Sequence, residues 1–328
     1  MIFWLLCSMA FAAGDPARVL SPKLLLQTPT AVIRDITVAA DGSLFTFDYE
    51  NYKIGKFDSN GRFLLDFGGS GTEPGRFTHL TGIRAVDDRL LAVDSTGVAE
   101  FDLDGRFRKK TAFAEEVTPN FSAALPDGRY VGSLIVAAEL KSVLTLRSRE
   151  GLEIARLASH DLKEFFPELK PGEDFFLDDA YARGYLYAVG PENNVYWIAT
   201  DALRLHLYRD GATRIVLADD MTPIQMPEAE RAKLLARKAK IKPPLFAYVP
   251  ERLPLVHHLA LGPDGDIWMY VESREKTGFL RYSKEGKPKG LYSVSADFNI
   301  AKAVVRIFGS RMYFILGKNL YTAELPAA

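Results

Sequence analysis

The chain has little with which to do covalent or metal chemistry. It holds five histidines, His79, His160, His206, His257 and His258, and one cysteine, Cys7. A single cysteine excludes a disulfide framework and any Cys-rich metal site. The run Gly68-Gly69-Ser70-Gly71-Thr72 lacks the last glycine of a nucleophile elbow and reads as a turn, and neither a Gly-Lys-Ser/Thr phosphate loop nor a His-Glu-x-x-His pair occurs. A metal would have to be held by carboxylates, amides and these few imidazoles. The polar residues that could converge on one place are Arg34, Asp35, His79, Asn120, Asp178, His257, His258 and Lys302. They form a set of mixed charge, suited to orienting a small ligand. No catalytic residue and no metal site is assigned among them.

Several of these residues also have a plainer use. Asp35 serves equally as a strand cap or as a partner of Arg34, and His79 as a loop histidine. Adjacent His257 and His258 should point to opposite faces of a strand, one buried and one exposed. Asp48 and Asp94 each end an apolar run, where a carboxylate stabilises the following turn. Trp197 and Trp268 are expected at equivalent positions in the core.

The elements around these residues repeat. Short apolar runs are separated by paired turn signals, at which both turn positions are expected to take positive φ. The first turn recurs at Asp41-Gly42, Asp87-Asp88, Asp127-Gly128, Glu192-Asn193, Asp264-Gly265 and Gly309-Ser310; the second at Asn60-Gly61, Asp104-Gly105, Glu150-Gly151, Asp210-Gly211 and Glu285-Gly286. Six of one turn and five of the other describe six units of two hairpins, the last short by one strand. A unit of four antiparallel strands is one propeller blade, so the expected fold is an all-β six-bladed propeller. The sixth unit, about Val304–Phe308, Met312–Leu316 and Leu320–Leu325, lacks its outer strand. Arg18–Gln27 is free to supply it and so close the ring, which also hides strand edges. A closed ring cannot be split, so residues 14–328 form one domain.

The chain resembles the NHL-repeat class of six-bladed propellers, most closely in its first two units and in outline over nearly the whole mature chain. The resemblance is carried by Thr81-Gly82-Ile83, by Asp48 and Asp94, by Asn51, Lys53 and Ile54 with Phe57-Asp58, and by the connector Phe67-Gly68-Gly69-Ser70-Gly71 through Phe77. Leu253–Trp268 is similar to exported bacterial propellers of this type. Related six-bladed families include calcium-dependent lactonases and esterases, and under that resemblance Asp35 and Asn120 would help to hold calcium.

The second-turn glycines, Gly61, Gly105, Gly151, Gly211 and Gly286, are 44, 46, 60 and 75 residues apart. Extra chain therefore enters at about 159–179, which is acidic and aromatic, and at about 218–254. The second insertion contains a predicted helix over Pro227–Lys240, with Glu228 and Glu230 near its start and basic residues near its end. Arg231, Lys233, Arg237 and Lys238 are its candidate partner contacts. Leu234, Leu235 and Ile241 could alternatively pack it across the disc as a cap. Both insertions are blade-to-blade connections and so share one face, where repeat scaffolds carry function.

The 41 basic and 42 acidic residues leave a formal charge of −1, which argues against a broad nucleic-acid surface. Residues 1–13, an apolar run ending in Ala10-Phe11-Ala12, read as a secretory signal too short to span a bilayer. The expectation is therefore a monomeric periplasmic or extracellular propeller without a transmembrane segment. It would bind a protein or small ligand, without a cofactor, at the insertion-bearing face and channel mouth. The competing expectation is a calcium-dependent hydrolase acting in the channel.

Overall fold

The structure, a computed structural model, describes residues 18–28, 31–114, 121–136, 138–164, 170, 176–177, 184–190, 192–240, 245–246 and 249–326. The proposed signal, Asn120, Asp178 and most of the acidic insertion lie outside the described residues.

Six antiparallel sheets form the ring. From the innermost strand outward, the first blade is Ile33–Val38, Leu44–Asp48, Lys53–Phe57 and Phe63–Gly68, and the second Leu80–Val86, Arg89–Asp94, Gly97–Asp102 and Phe107–Ala112. The third is Phe121–Ala124, Tyr130–Val136, Lys141–Arg147 and Glu153–Asp161, and the fourth Tyr185–Val189, Val195–Ala199, Leu203–Arg209 and Ala212–Asp219. The fifth is Val256–Leu261, Ile267–Glu272, Thr277–Tyr282 and Pro288–Val294, and the sixth Val304–Phe308, Arg311–Leu316 and Asn319–Glu324. Each inner strand packs against the inner strand of the next blade, and the sixth against the first.

The turns obey the sequence, with one correction. All five glycines of the second turns take φ between +79° and +84°, and each first turn has one residue at positive φ: Gly42, Asp87, Gly128, Asn193, Gly265 or Gly309. Two adjacent positive-φ residues occur only at Asp210-Gly211 among these turns. Elsewhere the common form is a three-residue loop closed by a left-handed glycine, as in Asp58 N→Arg62 O and Gly61 N→Asp58 O, both near 3 Å. The residue opening the second turn reinforces it. Asp58 and Asp102 Oδ1, and Ser148 and Ser283 Oγ, accept from the amides two and four residues on. Asp48 and Asp94 are turn carboxylates as expected: Asp48 accepts from Glu50 N and Asn51 Nδ2, and Asp94 from His79 N, Thr96 Oγ1 and Lys110 Nζ.

The apolar residues gather into six clusters, and each lies between two neighbouring blades. Trp197 and Trp268 both belong to these cores but are not equivalent. Trp197 is third in its strand and faces the third blade, whereas Trp268 is second and faces the sixth. An offset of one residue turns a side chain to the other side of the sheet.

Ring closure divides the N-terminal segment between two blades. Lys23–Gln27 adds antiparallel to Asn319–Glu324 as the missing fourth strand, while Arg18–Leu20 runs parallel to Pro288–Val294 on the fifth blade. Leu20 enters the core between blades five and six, and Leu26 the core between blades six and one. One short segment thus plugs two consecutive interfaces. We expect Leu20→Ala and Leu26→Ala each to cost about 2–4 kcal/mol in urea unfolding, since both delete a buried leucine and leave a cavity.

Candidate functional site

The inner strands of blades one, two and five begin with the same irregularity, a bulge between Ile33 and Asp35, Leu80 and Gly82, and Val256 and His258. The extra residues are Arg34, Thr81 and His257. A bulge re-aims the side chain it carries, which is why residues at strand starts populate this end of the channel. Arg34 lies 5.3 Å over the Tyr49 ring, and burial lowers its pKa from the ordinary value. His79 Nδ1 is 3.1 Å from Tyr52 Oη, and its ring meets Tyr49 edge-on at 5.6 Å. Arg34 and His79 are thus joined at the mouth through Tyr49 and Tyr52, whose part in the mouth was not read from the sequence. Thr81 Oγ1 and Ser122 Oγ, 2.5 Å apart, link blades two and three.

The two histidines of blade five depart from expectation, because neither is exposed. His257 Nε2 is 3.3 Å from Glu272 Oε2, a close polar contact without hydrogen-bond alignment. His257 holds the Glu272 carboxyl below its usual range, and Tyr270 Oη donates to Glu272 Oε1. His258 is buried, with Nε2 2.7 Å from the carbonyl of Ile300. Only a protonated Nε2 can donate to that carbonyl. Burial drives the His258 pKa down to about 4, so the ring is neutral at physiological pH. Their ring centroids are 6.5 Å apart. Lys302 is exposed on a 3-10 turn over Ile300–Lys302, whose start is capped by Asn299 Oδ1 accepting from Ala301 N.

Deeper in the channel, the partner of Asp35 is Arg306 of the sixth blade, not Arg34. Arg306 Nη2 donates to Asp35 Oδ2 at 2.9 Å, and its Nε lies 2.8 Å from Oδ1 in the same ion pair, while Oδ1 also accepts from Ile36 N. Tyr187 of blade four faces these two charges. Its hydroxyl is buried without a partner among the described residues, and burial raises its pKa. Arg84 of blade two donates from Nη1 to the carbonyls of Ala124 and Val189 at 3.2 and 3.5 Å, so it spans blades two to four. Burial pulls its pKa down to about 10, which leaves it charged at neutral pH. Arg84, Tyr187 and Arg306 escaped the sequence reading because they lie inside strands rather than at strand starts. Position within each repeat was the available signal.

The donor set tests the calcium reading. Both oxygens of Asp35 are taken by a guanidinium, which puts positive charge where a cation would have to sit. A hard divalent ion needs six or more oxygens, and among the described residues no three His, Cys, Asp or Glu side chains converge. The described residues therefore do not fit a channel metal; Asn120 and Asp178 are outside them.

On the insertion-bearing face, the start of the second insertion is laid onto the fifth blade, where Pro223 bridges to Ser273, and its two ends are zipped together by the Gln225–Arg252 bridge and by Met226 N donating to Glu251 O at 2.9 Å. The helix between them spans Glu228–Lys238 and fully buries none of its residues; of the leucines expected to pack it as a cap, Leu235 is 41% exposed and Leu234 half-buried, while Ile241 lies outside the described residues. Lys233, Arg237 and Lys238 are exposed and Arg231 is half-buried. The two insertions meet: Phe176–Leu177 pairs parallel with Leu245–Phe246. A separate cleft of about 380 Å³, lined by Lys53, Asp66, Arg76, Phe101 and Phe107, lies between blades one and two by the glycine-rich connector.

These features define a six-bladed β-propeller with a polar channel and one elaborated face. No family model and no curated protein matches the chain. Among solved structures it is similar to a candidate exported protein from Bacteroides fragilis, with TM-score 0.53 at 10% identity over 94% of this chain and 95% of that one. A candidate gluconolactonase gives 0.53 at 12% identity, over 94% of each chain. A gluconolactonase from Xanthomonas campestris gives 0.50 at 13% identity, over 95% of this chain and 99% of that one. Identities this low support the propeller fold alone.

Two outcomes follow. Asp35→Asn should cost about 2 kcal/mol in urea unfolding, because it leaves Arg306 without its carboxylate where channel water only partly compensates. His258 binds a proton more weakly folded than unfolded, so acid favours unfolding. Its contribution is complete above its ordinary pKa of 6.5 and is lost as pH falls towards about 4. His258→Gln should shrink the stability difference between pH 7 and pH 4.5 by up to about 3 kcal/mol; an unchanged difference would show that other groups set the acid limb.

Proposed function

We propose that the chain is an exported, non-enzymatic binding propeller of the NHL-repeat type, which engages a protein or small ligand with its insertion-bearing face and channel mouth. The observation that carries this reading is the pairing of Phe176–Leu177 with Leu245–Phe246. It ties two insertions, distant in sequence, into one feature over a single face. A helix with no fully buried residue stands in that feature and exposes Lys233, Arg237 and Lys238. A segment this long that contributes no core is expensive to order unless it meets something else. Its basic last turn suits an acidic partner surface. Export is supported by the apolar run of residues 1–13 and by likeness to a candidate exported protein, and no helix among the described residues is long and apolar enough to cross a membrane. The lactonase reading is less well supported, because Arg306 occupies the carboxylate that a channel metal would use.

Deleting Pro227–Lys240 tests this reading. The shortened chain should melt within a few degrees of the full chain and lose the crosslinked partners that the full chain captures from the exported fraction of its native host. Collapse of the melting transition would make the helix structural, and unchanged crosslinking would remove it from the binding face.

A further inference from the structure

Counted back from the first hairpin of each blade, six inner-strand residues share one register position: Thr37, Arg84, Ala123, Ala188, Ala260 and Arg306. Where their contacts are polar, they lead to the next blade. Thr37 Oγ1 accepts from Ala85 N at 3.0 Å, Arg84 donates to Ala124 O, and Arg306 reaches Asp35. This level of the channel therefore carries two guanidinium groups in equivalent settings, with small residues at the other positions. Small side chains at Ala123 and Ala188 leave Arg84 room to extend past the third blade to the fourth.

The two arginines use their atoms in the same way up to one point. Arg306 spends Nη1 on a backbone carbonyl, Val305 O at 3.0 Å, and turns its Nε/Nη2 edge to both oxygens of Asp35. Arg84 likewise spends Nη1 on backbone carbonyls. Its Nε and Nη2 make no hydrogen bond to any described residue, and no described carboxylate pairs with it. The position in the third blade that matches Asp35 is Phe121, which has no carboxylate. Arg84 is half-buried rather than fully enclosed, and a guanidinium with an open two-donor edge is shaped for a planar anion with two oxygens.

We propose that Arg84 binds a small monocarboxylate from solution on its Nε/Nη2 edge, as the matching edge of Arg306 binds Asp35. This inference deepens the channel part of the function proposed above and does not depend on the insertions.

The test follows thermal unfolding of the full chain in sodium acetate against sodium chloride at matched ionic strength, with circular dichroism to verify folding. Acetate should raise the melting temperature saturably beyond chloride, because it binds only the folded state. Arg84→Lys keeps the charge but loses the planar fork, and should weaken acetate binding about tenfold or more. Arg84→Met should abolish the difference between the salts. Equal responses to acetate and chloride, or an acetate response that survives in Arg84→Met, would overturn the proposal. Should the methionine variant not fold, an undiminished acetate response in Arg84→Lys would overturn it instead. An intact acetate response in the Pro227–Lys240 deletion separates failure of the face from failure of the channel site.

Discussion

Each of the six apolar cores is built partly from one blade and partly from the next, so a single blade has nothing of its own to fold onto and the ring is stable only when closed. That constraint explains the work done by residues 18–27. A fourth strand for the sixth blade would satisfy hydrogen bonding alone. By crossing to the fifth blade as well, the segment delivers Leu20 and Leu26 to two adjacent cores and secures both interfaces where the chain's ends meet.

Closing the ring forces six inner strands around a narrow axis, where polar atoms have little water to meet. They are satisfied mostly across blade boundaries: Thr37 to Ala85, Thr81 to Ser122, His258 to Ile300 and Arg306 to Asp35. The fourth and fifth blades are joined through Thr200 O, which accepts from Leu255 N and Val256 N. The channel is thus a belt of polar bridges, and Arg84 and Tyr187 stand out because the belt leaves part of each unused. Unpaired donors in such a place are costly, which is why attention falls on the channel and not only on the decorated face.

Much of this was legible in the residues. Turn chemistry is local, so Gly61, Gly105, Gly151, Gly211 and Gly286 marked hairpins that need left-handed backbone, and the blade count followed. The structural use of Asp48 and Asp94 was readable for the same reason. The mouth was half legible: Arg34 and His79 were found by their place at strand starts, but the Tyr49 and Tyr52 rings that join them come from the turn after the second strand. The exposure expected of one blade-five histidine failed because the bulge at His257 breaks simple alternation.

By itself the sequence determined the number of blades, the order of their strands, the segment that completes the ring and the connections that carry extra chain. The turns and connections depend on residues close together along the chain, and the closing segment follows from the strand count of the last unit. Only the tertiary structure decided that Asp35 belongs to Arg306 rather than to its neighbour Arg34, that Arg84 has no carboxylate among the described residues, and that two remote insertions pair through two-residue strands. These pairings join residues whose separation is set by the curvature of the closed ring, and no local propensity encodes that curvature.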